Sequence, residues 1–476
     1  MSISNIINLK TIMFRVGTLR LTRKHAATFG YCALLLLPFI AAESLGMVYE
    51  GLYSSVLGAI TLIAMTAFFV QFPLAGRLKA VPLFSNIDWS VAKHKRLGQY
   101  LGLFFFVHPL LILAPKMMMS FDDFSASFIS MLTAPQLLTG LIAWLMMLAW
   151  VLMAIYKDKL TIRYETWRLL HIVGFGVITT LATLHVTTVG SHGQFNAHFN
   201  GVWWALYMFS ILLLVYNYLI KPRKIQRQPF AITAINKIST CDWQLTIKPA
   251  MQQRFAYEAG QFAWLNTSGS AYNLEQHPFS IASEHNDQAH LSFIIRELGD
   301  YTSSLAQLSV GQTVFVDGPY GSMSLAQSST ASGITLIAGG AGIAPMVSLL
   351  RELAKRNDAR PIRLIYANKN LQRMVCIDEL IALEQSMHNF KLQLVCEQVI
   401  EQKDVNQVYR NGDTPPLDIQ QGYVDKPHIS ASISAGQQQD WSVYLCGPEA
   451  MMTATSKHLT HLGISSGQVH FEQLAF

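Results

Sequence analysis

The sequence predicts a bundle of six membrane helices, followed by a small antiparallel β-barrel and then a parallel α/β sheet. Only 13% of the 476 residues are charged, which is about half the ~25% that is usual in soluble proteins. Six apolar runs of spanning length stand in the first half of the chain. After residue 222, short alternating segments give way to apolar strands that alternate with helical stretches, a pattern typical of a barrel and then of a parallel sheet.

Each of the six apolar runs is long enough to cross a membrane, because about 20 residues at 1.5 Å each span a ~30 Å hydrocarbon core. One such run could be a buried helix of a soluble protein, but six in succession argue against that interpretation. The runs lie at roughly residues 28–49, 52–72, 97–114, 135–156, 168–189 and 202–220. The sequence therefore predicts a multi-pass protein of the lipid bilayer.

The charges predict the orientation of this bundle. Residues 1–221 contain 16 Lys and Arg against 7 Asp and Glu, whereas the remainder contains 19 against 22. The basic residues of the first part crowd the N-terminal tail, the 73–96 and 157–168 loops and the end of the sixth run, and the opposite loops contain only Lys116. By the positive-inside rule, the N-terminus and the part after residue 221 are predicted to be cytoplasmic, with the bundle in the cell (inner) membrane. Such a distribution indicates topology rather than binding of nucleic acid.

The shifts in composition predict four segments. Residues 1–27 form a basic cytoplasmic tail, 28–221 the membrane domain, 226–328 the barrel and 329–476 the α/β domain. The five cysteines include no Cys-x-x-Cys pair, so neither a zinc knuckle nor a disulfide framework is predicted.

Four histidines belong to two of the predicted spans. His94 and His108 belong to the third span, and His171 and His185 belong to the fifth, with 14 residues between the members of each pair. Fourteen residues are nearly four helical turns, so each pair faces one side of its helix, with about 21 Å between its members. Ionisable side chains at membrane depth are costly and therefore candidates for function.

Two such helices side by side present two imidazoles at each of two depths, and a haem iron takes two axial imidazoles. The spacing therefore predicts a bis-haem bundle with four metal ligands. His94 would pair with His171 for a cytoplasmic-side haem, and His108 with His185 for an outer-side haem. Polar packing residues are the alternative interpretation. Four small residues on the same helices would admit either a porphyrin or a neighbouring helix: Gly98, Gly102, Gly174 and Gly176.

A flavin site is predicted within the barrel. In the run His277-Pro278-Phe279-Ser280, the aromatic ring can stack on a flavin, the hydroxyl can form a hydrogen bond to it, and the histidine can reach a phosphate. Arg296 and the run from Gly299 to Thr302 follow, ahead of a helix-like stretch. Amide groups at a helix start, together with the threonine hydroxyl, form a possible pyrophosphate site.

A nicotinamide nucleotide site is predicted in the α/β domain. Gly339, Gly340, Gly342 and Pro345 lie in a turn between a strand and a helix, where glycine allows the backbone to approach a pyrophosphate. A late strand ends at Cys446-Gly447-Pro448, and ligands of open α/β sheets bind at such ends.

Two residues are candidates for a catalytic role. Cys446 would lie at the nicotinamide or flavin edge, with a buried structural cysteine as the alternative. Phe476, the last residue of the sequence, would cover the open face of a flavin and move aside for nicotinamide. The alternative for this phenylalanine is an anchor in the core.

Together these motifs resemble the NADPH oxidase/ferric reductase superfamily, over about residues 30–476. The resemblance implies that His277, Phe279, Ser280, Arg296 and Thr302 bind FAD. It implies that Gly340, Gly342, Pro345, Cys446, Gly447 and Glu472 hold the nicotinamide nucleotide, NADPH or NADH. Animal oxidases carry a further histidine one turn beyond the outer ligand of the third span, where this chain has Ile112. Lys369 or Arg373 could meet the 2′-phosphate of NADPH.

The expected function is NAD(P)H-dependent oxidoreduction across a membrane, with electrons passing through FAD and two b-type haems. The acceptor on the outer side would be a small molecule, either a ferric or other metal chelate or dioxygen. The alternative is an electron conduit to a separate periplasmic or membrane redox partner or to a quinone.

Overall fold

A computed structural model describes most of the chain, and the described residues are 15–16, 19–20, 23–47, 51–78, 87–191, 194–251, 255–285, 290–398, 418–433 and 440–472. The chain divides into two compact units, Met1–Asn217 and Tyr218–Phe476. The first unit is helical apart from one short hairpin, and the second contains both large sheets.

The first unit contains seven α-helices among its described residues. They are α1 (Arg23–Ser44), α2 (Leu52–Ala75), α3 (Ile87–Met119), α4 (Phe121–Thr133), α5 (Leu138–Ile155), α6 (Tyr164–Val189) and α7 (Ala197–Val215), preceded by the paired strands β1 (Arg15–Val16) and β2 (Leu19–Arg20). Five of these helices, α2, α3, α5, α6 and α7, are long and apolar enough to cross a membrane.

The described residues do not confirm a sixth span. The first predicted run, 28–49, corresponds to the apolar helix Thr28–Ser44, which is shorter than a span. The helix ends there because Gly46 adopts φ +69° and the amide of Met47 donates back to the carbonyl of Ala42 at 3.1 Å. This left-handed glycine cap stops a helix within an apolar stretch.

Helix α4 lies where the sequence analysis placed a loop. It begins because Ser120 caps it, accepting a hydrogen bond from the amide of Asp123 at 3.0 Å, and because Asp122 and Asp123 place negative charge in its first turn. Ser-Phe-Asp-Asp is therefore the local signal that would have predicted this helix.

Helix α3 contains two prolines, and neighbouring helices satisfy carbonyl groups beside them. Pro115 has no N–H for the carbonyl of Leu111 four residues earlier. The hydroxyl of Tyr53, on α2, donates to that carbonyl at 2.6 Å. One turn before Pro109, the indole of Trp144 on α5 donates to the carbonyl of Phe106 at 3.0 Å. These bonds join α2 and α5 to α3.

Helix α5 packs against both α3 and α6. A Cβ at Gly102 would meet Val151 at 2.6 Å, and one at Gly174 would meet the indole of Trp150 at 1.6 Å. Both glycines therefore serve the packing of helices, which was the second of the two interpretations of these residues. Large apolar side chains on the outer faces of the spans are exposed, as lipid contact requires; they include Leu103, Leu145, Val173 and Leu212.

The second unit begins with α8 (Lys221–Gln226) and an antiparallel sheet. The strands are β3 (Phe230–Lys237), β4 (Asp242–Pro249), β5 (Phe262–Asn266), β6 (His277–Ser280), β7 (Leu291–Arg296) and β8 (Thr313–Tyr320), in the order β6-β5-β8-β3-β4-β7. An isolated bridge between Ile281 and Phe293 links the two ends of this order. Alternating residues such as Ile232, Leu245 and Phe293 fill one continuous core.

The second sheet of this unit is entirely parallel. Its strands are β9 (Gly333–Gly339), β10 (Ile362–Asn368), β11 (Phe390–Cys396), β12 (Asp418–Gln421), β13 (Trp441–Cys446) and β14 (Val469–Phe471), in the order β12-β11-β10-β9-β13-β14. The helices after α8 are α9 (Asp300–Ser303), α10 (Ile343–Lys355), α11 (Ile377–Ser386), α12 (Lys426–Ser432) and α13 (Glu449–His461). The strand order reverses between β9 and β13, and such a switch point opens a crevice at the carboxyl ends of the strands.

Candidate functional site

His94 and His171 approach each other between two membrane helices. Helix α3 includes both His94 and His108, and α6 includes both His171 and His185, so the 14-residue spacings are helical as expected. The ring centres of His94 and His171 are 6.2 Å apart. A metal–imidazole bond of about 2.0 Å, plus about 1.1 Å to each ring centre, puts two axial imidazoles about 6 Å apart. The distance therefore fits one iron between the two rings.

The ring nitrogens of His94 and His171 also fit a metal between the two rings. Nδ1 of His94 and Nδ1 of His171 are buried and have no hydrogen-bond partner among the described residues. Buried polar atoms in proteins are nearly always paired. A buried ring nitrogen without a hydrogen-bond partner among the described residues is therefore available to a metal or cofactor.

Aromatic side chains surround the His171 ring. Trp167, one turn before His171, stacks on its ring with 5.2 Å between ring centres. Phe175, one turn after His171, has its ring centre 4.7 Å away. Phe68, on α2, lies 6.5 Å from Phe175 and 6.1 Å from Phe105 on α3. These rings make the surroundings of the His171 ring and of the neighbouring part of α3 apolar.

The second pair of histidines has different neighbours. The ring of His108 lies 5.6 Å from Phe104 and 6.4 Å from Phe105. The ring of His185 lies against Gly140 on α5, whose Cβ, if present, would be 2.4 Å from Nδ1. Nδ1 of His185 is also buried without a hydrogen-bond partner in the described chain.

The predicted flavin residues lie on β6 and just after β7. His277, Pro278 and Phe279 are partly buried on β6, and Ser280 is buried at its end. The ring of His277 stacks on Tyr301 at 3.9 Å, and Phe279 lies parallel to the same ring at 6.1 Å. The structure thus brings the histidine and the phenylalanine together over one tyrosine.

Tyr301 is a site residue that the sequence analysis did not select. It is buried, and burial raises the pKa of its phenol to about 12, so the hydroxyl stays protonated at neutral pH. The hydroxyl group forms a hydrogen bond with Thr267 at 3.3 Å. An aromatic residue between Gly299 and Thr302, at the start of a helix, was the signal available in the sequence.

Arg296 is held by a buried carboxylate. Its Nε donates to Oδ1 of Asp242 at 2.8 Å and its second amino group donates to Oδ2 at 3.1 Å. The Asp242 side chain is fully buried. Burial by itself lowers the pKa of Arg296, but the hydrogen bonds and charge of Asp242 outweigh burial and raise it. The guanidinium is therefore a fixed cation.

The same guanidinium lies beside the glycine-rich turn. A Cβ at Gly340 would be 2.3 Å from Nη1 of Arg296, and Gly340 has a φ of +56°. The structure therefore brings Arg296, predicted for the flavin, next to Gly340, predicted for the nicotinamide nucleotide. A single fixed cation faces both motifs, which suits phosphate groups.

Gly299 and Thr302 form a local cap. The hydroxyl oxygen of Thr302 accepts hydrogen bonds from the amides of Leu298, at 2.8 Å, and Gly299, at 3.0 Å. These residues open α9, which has only four residues. The threonine hydroxyl is therefore already engaged with its own backbone.

The nicotinamide motifs meet at the switch point of the parallel sheet. Ala338 on β9 pairs with Cys446 on β13, and a Cβ at Gly342 would be 2.2 Å from the carbonyl oxygen of Cys446. A Cβ at Gly339 would meet Pro448 at 3.0 Å, and one at Gly447 would meet Gly339 at 3.2 Å. Close approach of two loops requires glycine at these positions. Pro345 is buried in the first turn of α10.

Glu472 lies by the motif that closes the antiparallel sheet. Its Oε1 accepts a hydrogen bond from the amide of Met323 at 3.3 Å, and a Cβ at Gly321, which has a φ of +99°, would be 1.8 Å from the same oxygen. The carboxyl group is buried and, from the residue after β14, contacts the segment that follows β8 rather than the glycine-rich turn. Phe476 lies outside the described residues.

Side-chain hydrogen bonds hold the segment after β10, where Lys369 or Arg373 was expected to meet the 2′-phosphate of NADPH. Asn370 accepts a hydrogen bond from the amide of Arg373 at 3.2 Å and donates to Gln398 at 2.9 Å. Lys369 is exposed at this tip.

The fold and these motifs define a membrane-embedded flavoprotein oxidoreductase. Three family models match the chain in order: ferric reductase like transmembrane component at residues 57–183, FAD-binding domain at 230–324 and oxidoreductase NAD-binding domain at 336–457. The chain therefore has the NADPH oxidase/ferric reductase-like architecture and is an NAD(P)H-dependent oxidoreductase. The first of the three matches contains His94, His108 and His171.

Curated relatives match the reductase part. The electron transfer component of toluate 1,2-dioxygenase from Pseudomonas putida is 29% identical over 248 residues, or 52% of this chain and 67% of the relative. The reductase component of propane 2-monooxygenase from Rhodococcus jostii is 25% identical over 51% of this chain and 62% of the relative. NADH-cytochrome b5 reductase 1 of Laccaria bicolor is 30% identical over 38% of this chain and 55% of the relative. The chain thus spans about half to two thirds of these relatives.

Solved structures of similar fold include the Amycolatopsis cytochrome P450 reductase GcoB, with 22% identity and a TM-score of 0.43 over 52% of this chain and 69% of that chain. They also include a flavohemoglobin from Malassezia yamatoensis, with 18% identity and a TM-score of 0.47 over 87% of this chain and 95% of that chain.

Proposed function

We propose that the chain transfers electrons from cytoplasmic NAD(P)H, through FAD and two b-type haems, to an acceptor on the outer side of the cell membrane. When bound, FAD takes up a hydride and releases its electrons singly, and the haems carry those electrons through the apolar bundle. The observation that carries this proposal is the 6.2 Å separation of the His94 and His171 rings, with buried Nδ1 atoms on both.

The four histidines would be the haem ligands. His94 and His171 would hold the inner haem, and His108 and His185 would hold the outer one. The apolar rings of Phe68, Phe105 and Phe175 exclude water between the two levels. The helix order supports this assignment, because each helix contributes one histidine to each level.

The reductase residues bind and orient the two nucleotides. Arg296, fixed by Asp242, neutralises phosphate charge between the flavin and nicotinamide motifs. His277 and Phe279 support the flavin from β6. Cys446, at the carboxyl end of β13 beside Gly342, orients the nicotinamide ring for hydride transfer.

Topology supports the cytoplasmic placement of the reductase. The apolar part of α1, Thr28–Ser44, is shorter than a span, but the whole helix from Arg23 has 22 residues, or about 33 Å at 1.5 Å per residue, and we propose it as the sixth span. An even number of spans returns the chain to the side of its N-terminus. We place the domains at 28–221, 226–328 and 329–476, with the antiparallel sheet closed as a barrel through the bridge between Ile281 and Phe293.

The proposed acceptor is a ferric or other metal chelate, with dioxygen as the second small-molecule candidate. Ile112 lies one turn beyond His108, where animal oxidases carry a further histidine, and it is exposed on α3. This apolar residue favours the metal chelate. The remaining alternative is a conduit to a separate redox partner or to a quinone.

The test uses the full-length protein in lipid nanodiscs. We expect two haem b and one FAD per chain, and oxidation of NADPH or NADH that requires an acceptor. Reduction of a ferric chelate under anaerobic conditions supports the proposed acceptor, whereas turnover with dioxygen alone overturns it. Turnover with neither favours a partner protein. A preparation that binds FAD but no haem would refute the transmembrane path.

A further inference from the structure

Gly140 lies in the first turn of α5, and the imidazole of His185 on α6 lies directly against it. A Cβ at position 140 would be 2.4 Å from Nδ1, 2.5 Å from Cε1 and 2.8 Å from Cγ of that ring. Real Cβ atoms essentially never approach a heavy atom within 3.0 Å. Position 140 therefore accepts only glycine while the ring stays in place.

The three nearest ring atoms also give the orientation of the imidazole. Because Nδ1, Cε1 and Cγ lie closest to Gly140, Nε2 lies farther from α5. Nδ1 is buried and makes no hydrogen bond to any described residue. Nε2 is therefore a ring atom on the side away from position 140.

Three other glycines of the described membrane helices differ from Gly140. Gly102 and Gly174 admit Val151 and Trp150, which are packing side chains. A Cβ at Gly201, on α7, would have no atom within 4 Å. At Gly140, the space of the missing side chain is filled by a predicted metal ligand.

We propose that Gly140 is a positioning residue that fixes the direction in which His185 presents Nε2 to the outer haem. This inference rests on the proposed function, which makes His185 a ligand. An unligated imidazole can turn away from a new methyl group at little cost, whereas a ligated one is held by the iron. A side chain at 140 therefore conflicts with metal ligation rather than with the helix itself, where alanine is favoured over glycine.

The test compares Gly140→Ala with Gly201→Ala, a matched substitution in a neighbouring membrane helix. Haem content and the low-spin electron paramagnetic resonance spectrum are measured on the purified proteins, independently of turnover. Gly140→Ala should lose one of the two haems or shift one of the two low-spin signals, and leave the other signal unchanged. Gly201→Ala should match the wild type. Two unchanged signals in Gly140→Ala would overturn the proposal.

A double variant distinguishes the proposed effect on His185 from general misfolding. In a His185→Ala background, Gly140→Ala should not reduce the haem content or the melting temperature further, because the ring that it displaces is gone. A further loss of haem in the double variant would show that Gly140 acts elsewhere and would overturn the proposal. A wild-type protein without two low-spin haems would instead refute the proposed function.

Discussion

The two units of this protein differ in how the polar groups of their candidate sites are hydrogen-bonded. In the membrane unit, Nδ1 atoms of His94, His171 and His185 are buried with no hydrogen-bond partner among the described residues. In the reductase unit, Arg296 is held by two hydrogen bonds to Asp242.

The difference is whether the protein itself fixes the polar groups of each candidate site. Thr302, like Arg296, bonds to its own protein, so these two reductase groups are held in place before any nucleotide arrives. The Nδ1 atoms of His94, His171 and His185 are not held in this way by the described residues. We therefore expect the reductase unit to keep its fold without cofactor, and the membrane unit to depend on haem for stability.

The largest effect is expected at the inner histidine pair. His94→Ala and His171→Ala should each remove the same single haem and abolish electron transfer to an external acceptor, while reduction of FAD by NAD(P)H continues. His198→Ala, a change at an exposed histidine of α7, serves as the control and should retain both haems. Haem stoichiometry and stopped-flow flavin spectra provide the measurements, and retention of both haems in His94→Ala would contradict the ligand assignment.

The next effect is expected at the buried ion pair of the reductase unit. Asp242→Asn leaves the charge of Arg296 without its partner, and breaking such a pair costs about 3–5 kcal/mol. Thermal unfolding followed by flavin fluorescence should show a lower melting temperature and weaker FAD retention. The exposed pair of Lys237 and Glu297, 3.3 Å apart, is the control, and Lys237→Gln should leave both measurements unchanged. Equal effects of the two changes would mean that burial does not matter here.

The third prediction concerns the rate of hydride transfer from NAD(P)H to the flavin. Cys446→Ala should slow flavin reduction by NAD(P)H about tenfold, or about 1.4 kcal/mol, with FAD content unchanged, because the side chain lies where β13 reaches the switch point. Cys396 also ends a parallel strand, β11, but away from the switch point. Cys396→Ala should therefore leave the single-turnover rate of flavin reduction unchanged, and a similar loss in both variants would argue for packing alone.

The smallest effect is expected at the hydrogen bond between helices α2 and α3. Tyr53→Phe removes the donor to the carbonyl of Leu111, and such bonds in membranes contribute about 0.6 kcal/mol on average. In a Pro115→Ala background, the helix supplies its own donor, so the same change should cost less. Melting temperatures of the four proteins in nanodiscs measure this coupling, and equal costs in both backgrounds would refute the account of Pro115.

Local patterns predicted much of the architecture. Hydrophobic runs located five spanning helices, and strand–glycine–helix order located the turn at Gly339 to Gly342. The fourteen-residue spacings placed His94 and His171 at one level because helical period relates sequence distance to direction. The amphipathic helix α4 was missed, although its Ser120 cap was visible in the sequence.

The sequence by itself determined the order of domains, the helices that carry the histidines and the motifs at the nucleotide sites, because these depend on residues near one another in the chain. Only the tertiary structure decided which distant groups complete the sites. Asp242 meets Arg296 across 54 residues, and Tyr53 meets Leu111 across 58. Gly140 meets the ring of His185 between two different helices. Such pairs depend on how helices and strands pack, and packing brings together residues that share no local pattern.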